Sequence, residues 1–478
     1  MSNKNTAING AKWTSISTVI GSFLQFAQMA VLARLILPSS FGIVALSSLV
    51  INFLSIFVHL GFANSIIYKQ EASKKSLSTI YFFNIMIGLL MFSLIWLTAP
   101  LLIVYFKEPR LGTVLKVAAF YFPVVFFGQM YNTLLEKDLK FKYIAISDIV
   151  TAILTIIVTV GFAYAGYQEM ALIYGQLSAQ ITRTILMNVF GRKLFQPIFY
   201  FNLKEIKEHL IFGIFNTGDS LIIFANGNID TILIGGVLGV KELGYYTMAS
   251  TLAVYPVSKI CPIITQTCYP IMAKMNGNSE ALKSAFLKIV DLITYIIIPL
   301  LGGLYIMVSN VIPLFYGPHW GETIPLIKIF VFMALASSLT YPSSPLVFSK
   351  GKPNLLFYIN LITFCIRFPL VLLLAKYYGV MGVAVAYLIS NIISFGMVYG
   401  LVQYLVGSYV KTFLRDISKP IIFCLIMIGV ILLYRHFVTS TGLVNTIIQI
   451  AIGGMVYIGL TLKYKMSLKE ILNLRQAL

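Results

Sequence analysis

The chain has 478 residues, of which 59% are hydrophobic and only 11% are charged, whereas soluble proteins carry about 25% charged residues. This composition excludes a soluble protein, and its long unbroken apolar runs exclude a membrane β-barrel, which would show short alternating segments. The formal net charge of +19 does not indicate nucleic-acid binding, because no basic cluster accompanies an aromatic platform or a reading helix.

Taken in order, about fourteen stretches are long and apolar enough to cross a bilayer as helices, at about 20 residues per span. The sequence therefore predicts an all-α membrane protein. The polar N-terminus leads into the first span without a small-residue cleavage site, so we interpret that span as a retained helix and not a signal peptide. The predicted spans are 13–37, 43–68, 78–105, 112–135, 143–165, 169–190, 209–237, 245–272, 286–312, 323–348, 355–376, 380–405, 417–437 and 442–462.

The distribution of basic residues predicts the orientation of these spans. With the N-terminus in the cytoplasm, and with residues near the end of a span counted with the adjoining loop, 24 of the 35 Lys and Arg residues fall in cytoplasmic segments, seven in external segments and four inside spans. Cytoplasmic loops of membrane proteins carry an excess of Lys and Arg, and a missed span would reverse this asymmetry downstream. We therefore expect both termini in the cytoplasm.

The chain also contains an internal sequence repeat. The stretch 31–46, VLARLILPSSFGIVAL, has the layout of DTILIGGVLGVKELGYYTMAS at 230–250, with an offset of 202 residues between Gly42 and Gly244. A second pair of helices repeats at an offset of about 212 residues, with short Gly-containing turns at 165–168 and 377–380. Spans one to six therefore repeat as spans seven to twelve, in the same orientation.

This duplication predicts the domain organisation. We expect an N-terminal six-helix half at 1–190, a cytoplasmic amphipathic linker at 191–208, a C-terminal six-helix half at 209–405, and two extra helices with a cytoplasmic tail at 406–478. Pseudo-symmetric halves are typical of transporters, with a substrate site at mid-depth and alternating access. Prolines predict broken or hinged helices in span eight and in span ten.

Several motifs occur in order over roughly residues 8–410. They are VLARLILPSSFGIVAL with HLGFANSIIYKQ, LSTIYFFNIMIG, YFKEPRLGTVLKVAAFYF, LLEKDLKFKYIAISD, DTILIGGVLGVKELGYYTMAS and LFYGPHWGETIPLIKIF. In these stretches the chain resembles the Wzx-type polysaccharide flippases, in particular the WzxC-like branch, of the multidrug/oligosaccharidyl-lipid/polysaccharide exporter superfamily. The last two spans match only as apolar helices.

The resemblance implies a fourteen-helix protein of the bacterial inner membrane, surrounded by membrane lipids. It implies movement of undecaprenyl-pyrophosphate-linked oligosaccharides from the cytoplasmic to the periplasmic leaflet, for polysaccharide, O-antigen or capsule biosynthesis. Proton or sodium coupling would supply the energy, and a polysaccharide polymerase and glycosyltransferases of the pathway would be the partners. No cofactor is implied.

A pyrophosphate needs cations inside the membrane, and charged residues within spans are rare and usually functional. Lys259 in span eight and Arg367 in span eleven fall near mid-depth, at about 1.5 Å of rise per residue. Arg183 in span six lies deeper toward the cytoplasm. We predict that these three residues bind the pyrophosphate. The alternative for each is a structural ion pair with a neighbouring helix.

Acidic residues suggest further roles. Asp219 falls at mid-depth in span seven and is the candidate for ion coupling, with a permanent ion pair to Lys259 as the alternative. Asp230 and Arg34 lie near the external ends of their spans and are predicted gate or helix-end contacts. Asp148 lies close to the cytoplasmic face and is expected to be solvated.

Other functions fit the residues less well. The sequence has no nucleophile–base set, phosphate loop or metal-ligand spacing, and its four cysteines all lie inside apolar runs, so we expect neither an enzyme nor a metal site. A multidrug or cation antiporter of the same superfamily would favour acidic residues at mid-depth. A flippase of peptidoglycan lipid precursors shares the pyrophosphate, and only the motif pattern weighs against it.

Overall fold

We analysed a computed structural model of the chain. It describes residues 3–58, 66, 73–206, 221, 224–275, 277–438 and 442–464, and the account below concerns these residues. Helices form nearly all of this described part. The chain divides into two compact units, Met1–Gly244 and Tyr245–Leu478.

Unit 1 consists of seven helices followed by the helical segment 224–233 and a π-helical turn, Ile234–Leu238. The next helix, α8, begins in unit 1 and continues into unit 2. The helices are α1 Asn3–Leu35, α2 Pro38–Val58, α3 Lys74–Phe106, α4 Pro109–Ala118, α5 Tyr121–Lys137, α6 Phe141–Tyr164, α7 Gln168–Gly191 and α8 Val240–Lys274.

Unit 2 continues with six further helices. A π-helical turn, Ile312–Tyr316, and a 3₁₀ turn, Pro318–Trp320, follow the first of them. The helices are α9 Ser279–Val311, α10 Thr323–Thr340, α11 Ser343–Ser349, α12 Pro353–Val406, α13 Val410–Phe437 and α14 Leu443–Tyr464.

Eleven helical stretches in the described part are long and apolar enough to cross a membrane. They confirm the prediction of an all-α protein with many membrane spans. Predicted span four is two helices, α4 and α5, and predicted span ten is likewise divided into α10 and α11. Pro342 lies at that second division, which confirms the predicted break in span ten.

The 54-residue α12 is a hairpin rather than one long rod. At 1.5 Å per residue it would extend about 81 Å, whereas the hydrocarbon core of a bilayer is about 30 Å thick. Gly379 interrupts it with φ 57° and ψ −141°, a backbone conformation that glycine adopts readily. Arg367 Nε donates to Ser390 Oγ at 3.0 Å across the interruption. The two arms therefore fold back on each other, as predicted for spans eleven and twelve.

Helix α8 differs from the expectation of a break. It runs continuously from Val240 to Lys274 although it contains Pro256, Pro262 and Pro270. Proline is tolerated in membrane helices where side chains satisfy the freed backbone groups. The prolines therefore leave span eight intact.

The segment predicted as a linker, 191–208, packs onto unit 1 over the part that is described. Phe195 and Ile206 are 4% and 0% exposed and join the apolar cluster around α3 and α5. The backbone N–H of Ile198 donates to Ser78 Oγ at 3.1 Å. Phe199, by contrast, is fully exposed. This alternation anchors one face of the segment and leaves the other open to its surroundings.

The last two helices of the chain pack against α9. One apolar cluster joins α9, α13 and α14, and Met427 and Tyr457 are among its buried members. Gly302 of α9 meets Cys424 of α13 so closely that a Cβ at position 302 would overlap the sulfur atom. The small residue therefore sets the distance between these two helices at the middle of their contact.

Candidate transport site and glycine crossing

In unit 1, Arg183 forms an ion pair with Asp148. A guanidinium nitrogen of Arg183 on α7 donates to Asp148 Oδ1 on α6, and a second nitrogen donates to Asn132 Oδ1 at 3.4 Å. Asn132 Nδ2 in turn donates to Glu136 Oε1 at 2.8 Å. Both side chains of the ion pair are 36% exposed. Asp148 is therefore paired rather than only solvated, which corrects the expectation from its position near a helix end.

In unit 2, Arg367 is held in one orientation by two contacts across the α12 hairpin. Its guanidinium carbon lies 4.4 Å from the centre of the Tyr387 ring, in addition to the hydrogen bond from Nε to Ser390 Oγ. The side chain is half-buried. Stacking of a guanidinium on an aromatic ring leaves its edge nitrogens able to donate to an oxyanion.

Lys259 is half-buried on α8, and its Nζ lies 5.5 Å from the centre of the Tyr255 ring, one turn earlier on the same helix. Lys259 and Arg367 therefore contact different aromatic rings, those of Tyr255 and Tyr387. Asp219, the predicted partner of Lys259, lies outside the described residues. Its ion-coupling role stays a prediction.

The two predicted helix-end residues differ in burial. Asp230 is 7% exposed in the helical segment 224–233. Arg34 is exposed in the last turn of α1. A buried carboxylate is costly unless neighbouring polar groups stabilise it. Asp230 is therefore the more constrained of the two.

The first turns of α2 and α8 cross at two glycines. A Cβ on Gly42 would overlap the Val240 carbonyl oxygen, and a Cβ on Gly244 would overlap the Pro38 carbonyl oxygen. The same added atoms would lie 3.1 Å from the Gly244 nitrogen and 3.3 Å from the Gly42 nitrogen, respectively. We call these four residues the glycine crossing. It permits backbone-to-backbone contact that no side chain would allow.

The glycine crossing is reciprocal. Pro38 and Val240 are the first residues of α2 and α8, and Gly42 and Gly244 are the fifth. Each glycine meets the first residue of the opposite helix, so the contact has the two-fold form of an interface between equivalent surfaces. The internal sequence repeat aligned these glycines, but the sequence did not show that they contact each other.

Comparisons with known proteins agree with the resemblance. The family model described as "Polysaccharide biosynthesis protein" matches residues 31–325. The chain is 30% identical over 421 residues to the lipopolysaccharide biosynthesis protein WzxC of Escherichia coli (strain K12), covering 88% of this chain and 86% of the relative. The chain belongs to the polysaccharide biosynthesis protein family.

A second relative is a protein of teichuronic acid biosynthesis. The teichuronic acid biosynthesis protein TuaB of Bacillus subtilis (strain 168) is 28% identical over 461 residues, covering 95% of both chains. Among solved structures, the lipid II flippase MurJ in an inward closed conformation matches with a TM-score of 0.76 at 17% identity, covering 96% of this chain and 98% of MurJ. This likeness shows a shared fold.

Proposed function

We propose that this protein is a flippase that moves undecaprenyl-pyrophosphate-linked oligosaccharide repeat units from the cytoplasmic to the periplasmic leaflet of a bacterial inner membrane. Family membership is the observation that carries the proposal. The relatives named above belong to the biosynthesis of lipopolysaccharide and teichuronic acid, two polymers located outside the cytoplasmic membrane. Each requires that hydrophilic sugar units cross a hydrocarbon layer.

The proposed topology has fourteen spans with both termini in the cytoplasm. The count is supported by the eleven candidate spans, by the α12 hairpin, which is one of the eleven and adds a second crossing, and by the 24-residue α7. The remaining span is predicted at 209–237, where residues 224–238 are helical. The orientation rests on the excess of basic residues in alternate loops.

The proposed substrate contacts are cations held inside spans. Lys259 and Arg367 would bind the pyrophosphate. Arg183 on α7 would also bind it, after releasing Asp148. Charge-assisted hydrogen bonds from a guanidinium to phosphate oxygens are strong and geometrically specific. The stacking of Arg367 on Tyr387 supports this role because it orders the guanidinium before substrate arrives.

We further propose that the glycine crossing is the outer closure of an alternating-access cycle. Substrate release to the periplasm would require the first turns of α2 and α8 to separate, and backbone contact without side chains makes their reassociation possible in only one register. Asp230 and Arg34 would lie at the same end. Protonation or sodium binding at Asp219 would couple the cycle to an ion gradient.

Two other functions are distinguishable by experiment. A flippase of peptidoglycan lipid precursors is the nearer alternative, since MurJ shares the fold; a multidrug or cation antiporter is the other. Cells that lack this protein should accumulate lipid-linked repeat units in the cytoplasmic leaflet and lose the surface polysaccharide, with unchanged dye efflux. Normal surface polysaccharide together with impaired peptidoglycan synthesis or dye efflux would contradict the proposal.

A further inference from the structure

A cleft of about 380 Å³ lies between α9 and α13, near the first residues of both helices. Its volume lies within the range of small-ligand sites. We call it the charged cleft, because three lysines and three carboxylates line it: Glu280, Lys283, Lys288 and Asp291 on α9, and Asp416 and Lys419 on α13.

The cleft exists because α9 and α13 touch further along their length and separate toward their starts. Cys424 Sγ donates to the Ile298 carbonyl oxygen at 3.7 Å, and Gly302 lies directly against the same sulfur. Beyond this contact, in the direction of the helix starts, charged side chains replace the apolar cluster. The separation is therefore built into the packing of these helices and is not a loop feature.

Two lysines, Lys288 on α9 and Lys419 on α13, line opposite sides of the cleft. Lys288 and Lys419 are each the tenth residue of their helix, about 14 Å along the axis from its start. Both are exposed, and neither forms an ion pair with another residue in the part of the chain that the structure describes. Lys283, by contrast, pairs with Glu280 at 2.8 Å.

Carboxylates occupy the same cleft. Asp291 and Asp416, on opposite helices, both lie within electrostatic reach of the Tyr295 hydroxyl. The formal charges of the six side chains that line the cleft cancel. A ligand that carries a positive and a negative charge therefore matches the cleft better than a simple anion, because it compensates both sets of groups.

The cleft opens beside a surface of membrane-facing character. Ile422, one turn beyond Lys419 on α13, is 51% exposed, as expected for a side chain in contact with lipid tails. The basic-residue asymmetry assigns the starts of α9 and α13 to the cytoplasmic face. Lysines at this level can reach the layer of phospholipid headgroups.

We propose that the charged cleft binds the headgroup of one membrane phospholipid that carries both a phosphodiester and a primary ammonium group, the chemistry of phosphatidylethanolamine. Lys288 and Lys419 bind the phosphate, and Asp291 and Asp416 accept hydrogen bonds from the ammonium group. The bound lipid bridges α9 and α13 where they do not touch directly. It thereby strengthens the attachment of the two extra helices, and this role is independent of the transport proposal.

Native mass spectrometry of the full-length protein in detergent tests the proposal directly. The probes are dioctanoyl phosphatidylethanolamine, dioctanoyl phosphatidylglycerol, glycerophosphoethanolamine and inorganic phosphate. We expect one phosphatidylethanolamine to be retained in preference to phosphatidylglycerol. Lys288→Ala with Lys419→Ala should weaken this binding tenfold or more, and Asp291→Asn with Asp416→Asn should abolish the preference between the two lipids.

The matched control is Lys411→Ala, since Lys411 is an exposed lysine on α13 that does not line the cleft; it should bind lipid as the wild type does. Replacement of both cleft lysines by arginine keeps the two positive charges and should retain binding. Retained binding would show that substitution at these positions does not itself prevent folding. Equal binding by the double alanine variant would overturn the proposal. Occupation by inorganic phosphate but not by lipid would also overturn it. So would an alanine variant that is less thermally stable than the wild type, if added phosphatidylethanolamine does not change the thermal stability of the wild type.

Discussion

At the scale of single residues, the guanidinium of Arg367 is oriented by two contacts from the second arm of the α12 hairpin. Tyr387 stacks on it and Ser390 accepts a hydrogen bond from its Nε. Lysine cannot reproduce the planar stacking on Tyr387, because its ammonium group is a compact point charge without a planar face. Replacement of Arg367 by lysine therefore tests whether transport needs only a positive charge at this position or the planar guanidinium itself.

We predict that Arg367→Ala reduces flipping of lipid-linked oligosaccharide at least tenfold and that Arg367→Lys recovers only part of it. Ser390→Ala should reduce flipping less than Arg367→Ala, because it removes one hydrogen bond to a charged group, worth about 1.5–3 kcal/mol. The measurement is transport in proteoliposomes at matched protein amounts. Lys376→Ala, an exposed lysine near the end of the same arm, is the control and should transport normally.

Arg183 and Asp148 allow a test by exchange of charges. We predict that Asp148→Ala lowers thermal stability, because the guanidinium loses its ion-pair partner. The exchange variant, Asp148→Arg with Arg183→Asp, should recover that stability but not transport, since the positive charge has moved from α7 to α6. Thermal melting and flipping are measured on the same preparations. Full recovery of transport would assign Arg183 a structural role alone.

At the scale of helices, the glycine crossing joins α2 and α8 by backbone contact. An added methyl group cannot be accommodated by rotation of a side chain, because the overlapping atoms are the carbonyl oxygens of Val240 and Pro38. Overpacking of this kind costs about 1–3 kcal/mol. The cost falls only on the state in which the crossing is closed.

We therefore predict that Gly244→Ala shifts the population toward an outwardly open state by roughly tenfold, since each 1.4 kcal/mol is a factor of ten. Labelling of cysteines introduced near the outer ends of α2 and α8 by an impermeant thiol reagent measures this shift. Gly42→Ala should act in the same way. Gly303→Ala has no neighbouring atom within 4 Å of the added Cβ and should leave labelling unchanged. Unchanged labelling in Gly244→Ala would refute the role as outer closure.

The α12 hairpin provides a second test at this scale. Gly379 has a φ of 57°, which a β-branched residue adopts only with strain. Gly379→Val should lower the melting temperature and the yield of folded protein. Gly396→Ala, on the same helix and with open space around the added Cβ, should not. Equal stability of the two variants would argue against a turn at position 379.

The sequence was sufficient to predict features that depend on local chemistry. Apolar length predicted the helices, and Pro342 predicted the division of span ten. Short turns with glycine were predicted at 165–168 and 377–380, where Gly166 and Gly379 have positive φ. The continuity of α8 was missed because the tolerance of proline in a membrane helix depends on its surroundings in the fold.

Features that depend on which helix faces lie together were not accessible to sequence reasoning. Arg183 and Asp148 are 35 residues apart on α7 and α6, and nothing in either helix alone shows that they face each other. The internal sequence repeat aligned Gly42 with Gly244, but their contact is visible only in the folded structure. The charged cleft likewise joins stretches more than 110 residues apart along the chain.

At the scale of the whole molecule, fourteen spans with cytoplasmic termini predict the side of the membrane on which each turn lies. Alkaline phosphatase fused after Lys107, Gly166 or Gly379 should be active, because the enzyme requires the oxidising periplasm. Fusions after Gly277 or Gly351 should be inactive, whereas a fluorescent protein at those sites should fluoresce. The reverse pattern from any point onward would mean that the number of spans before that point is wrong.

The most direct test of the account is reconstitution of the purified full-length protein with undecaprenyl-pyrophosphate-linked oligosaccharide that carries a label on its sugar. A membrane-impermeant glycosidase outside the vesicles reports the fraction of labelled lipid in the outer leaflet. We predict that this fraction rises toward completion in vesicles that contain the protein and remains near one half in vesicles without it or with Arg367→Ala. Equal fractions with and without the wild-type protein, under an imposed proton or sodium gradient of either direction, would contradict the assignment as a flippase of lipid-linked oligosaccharides.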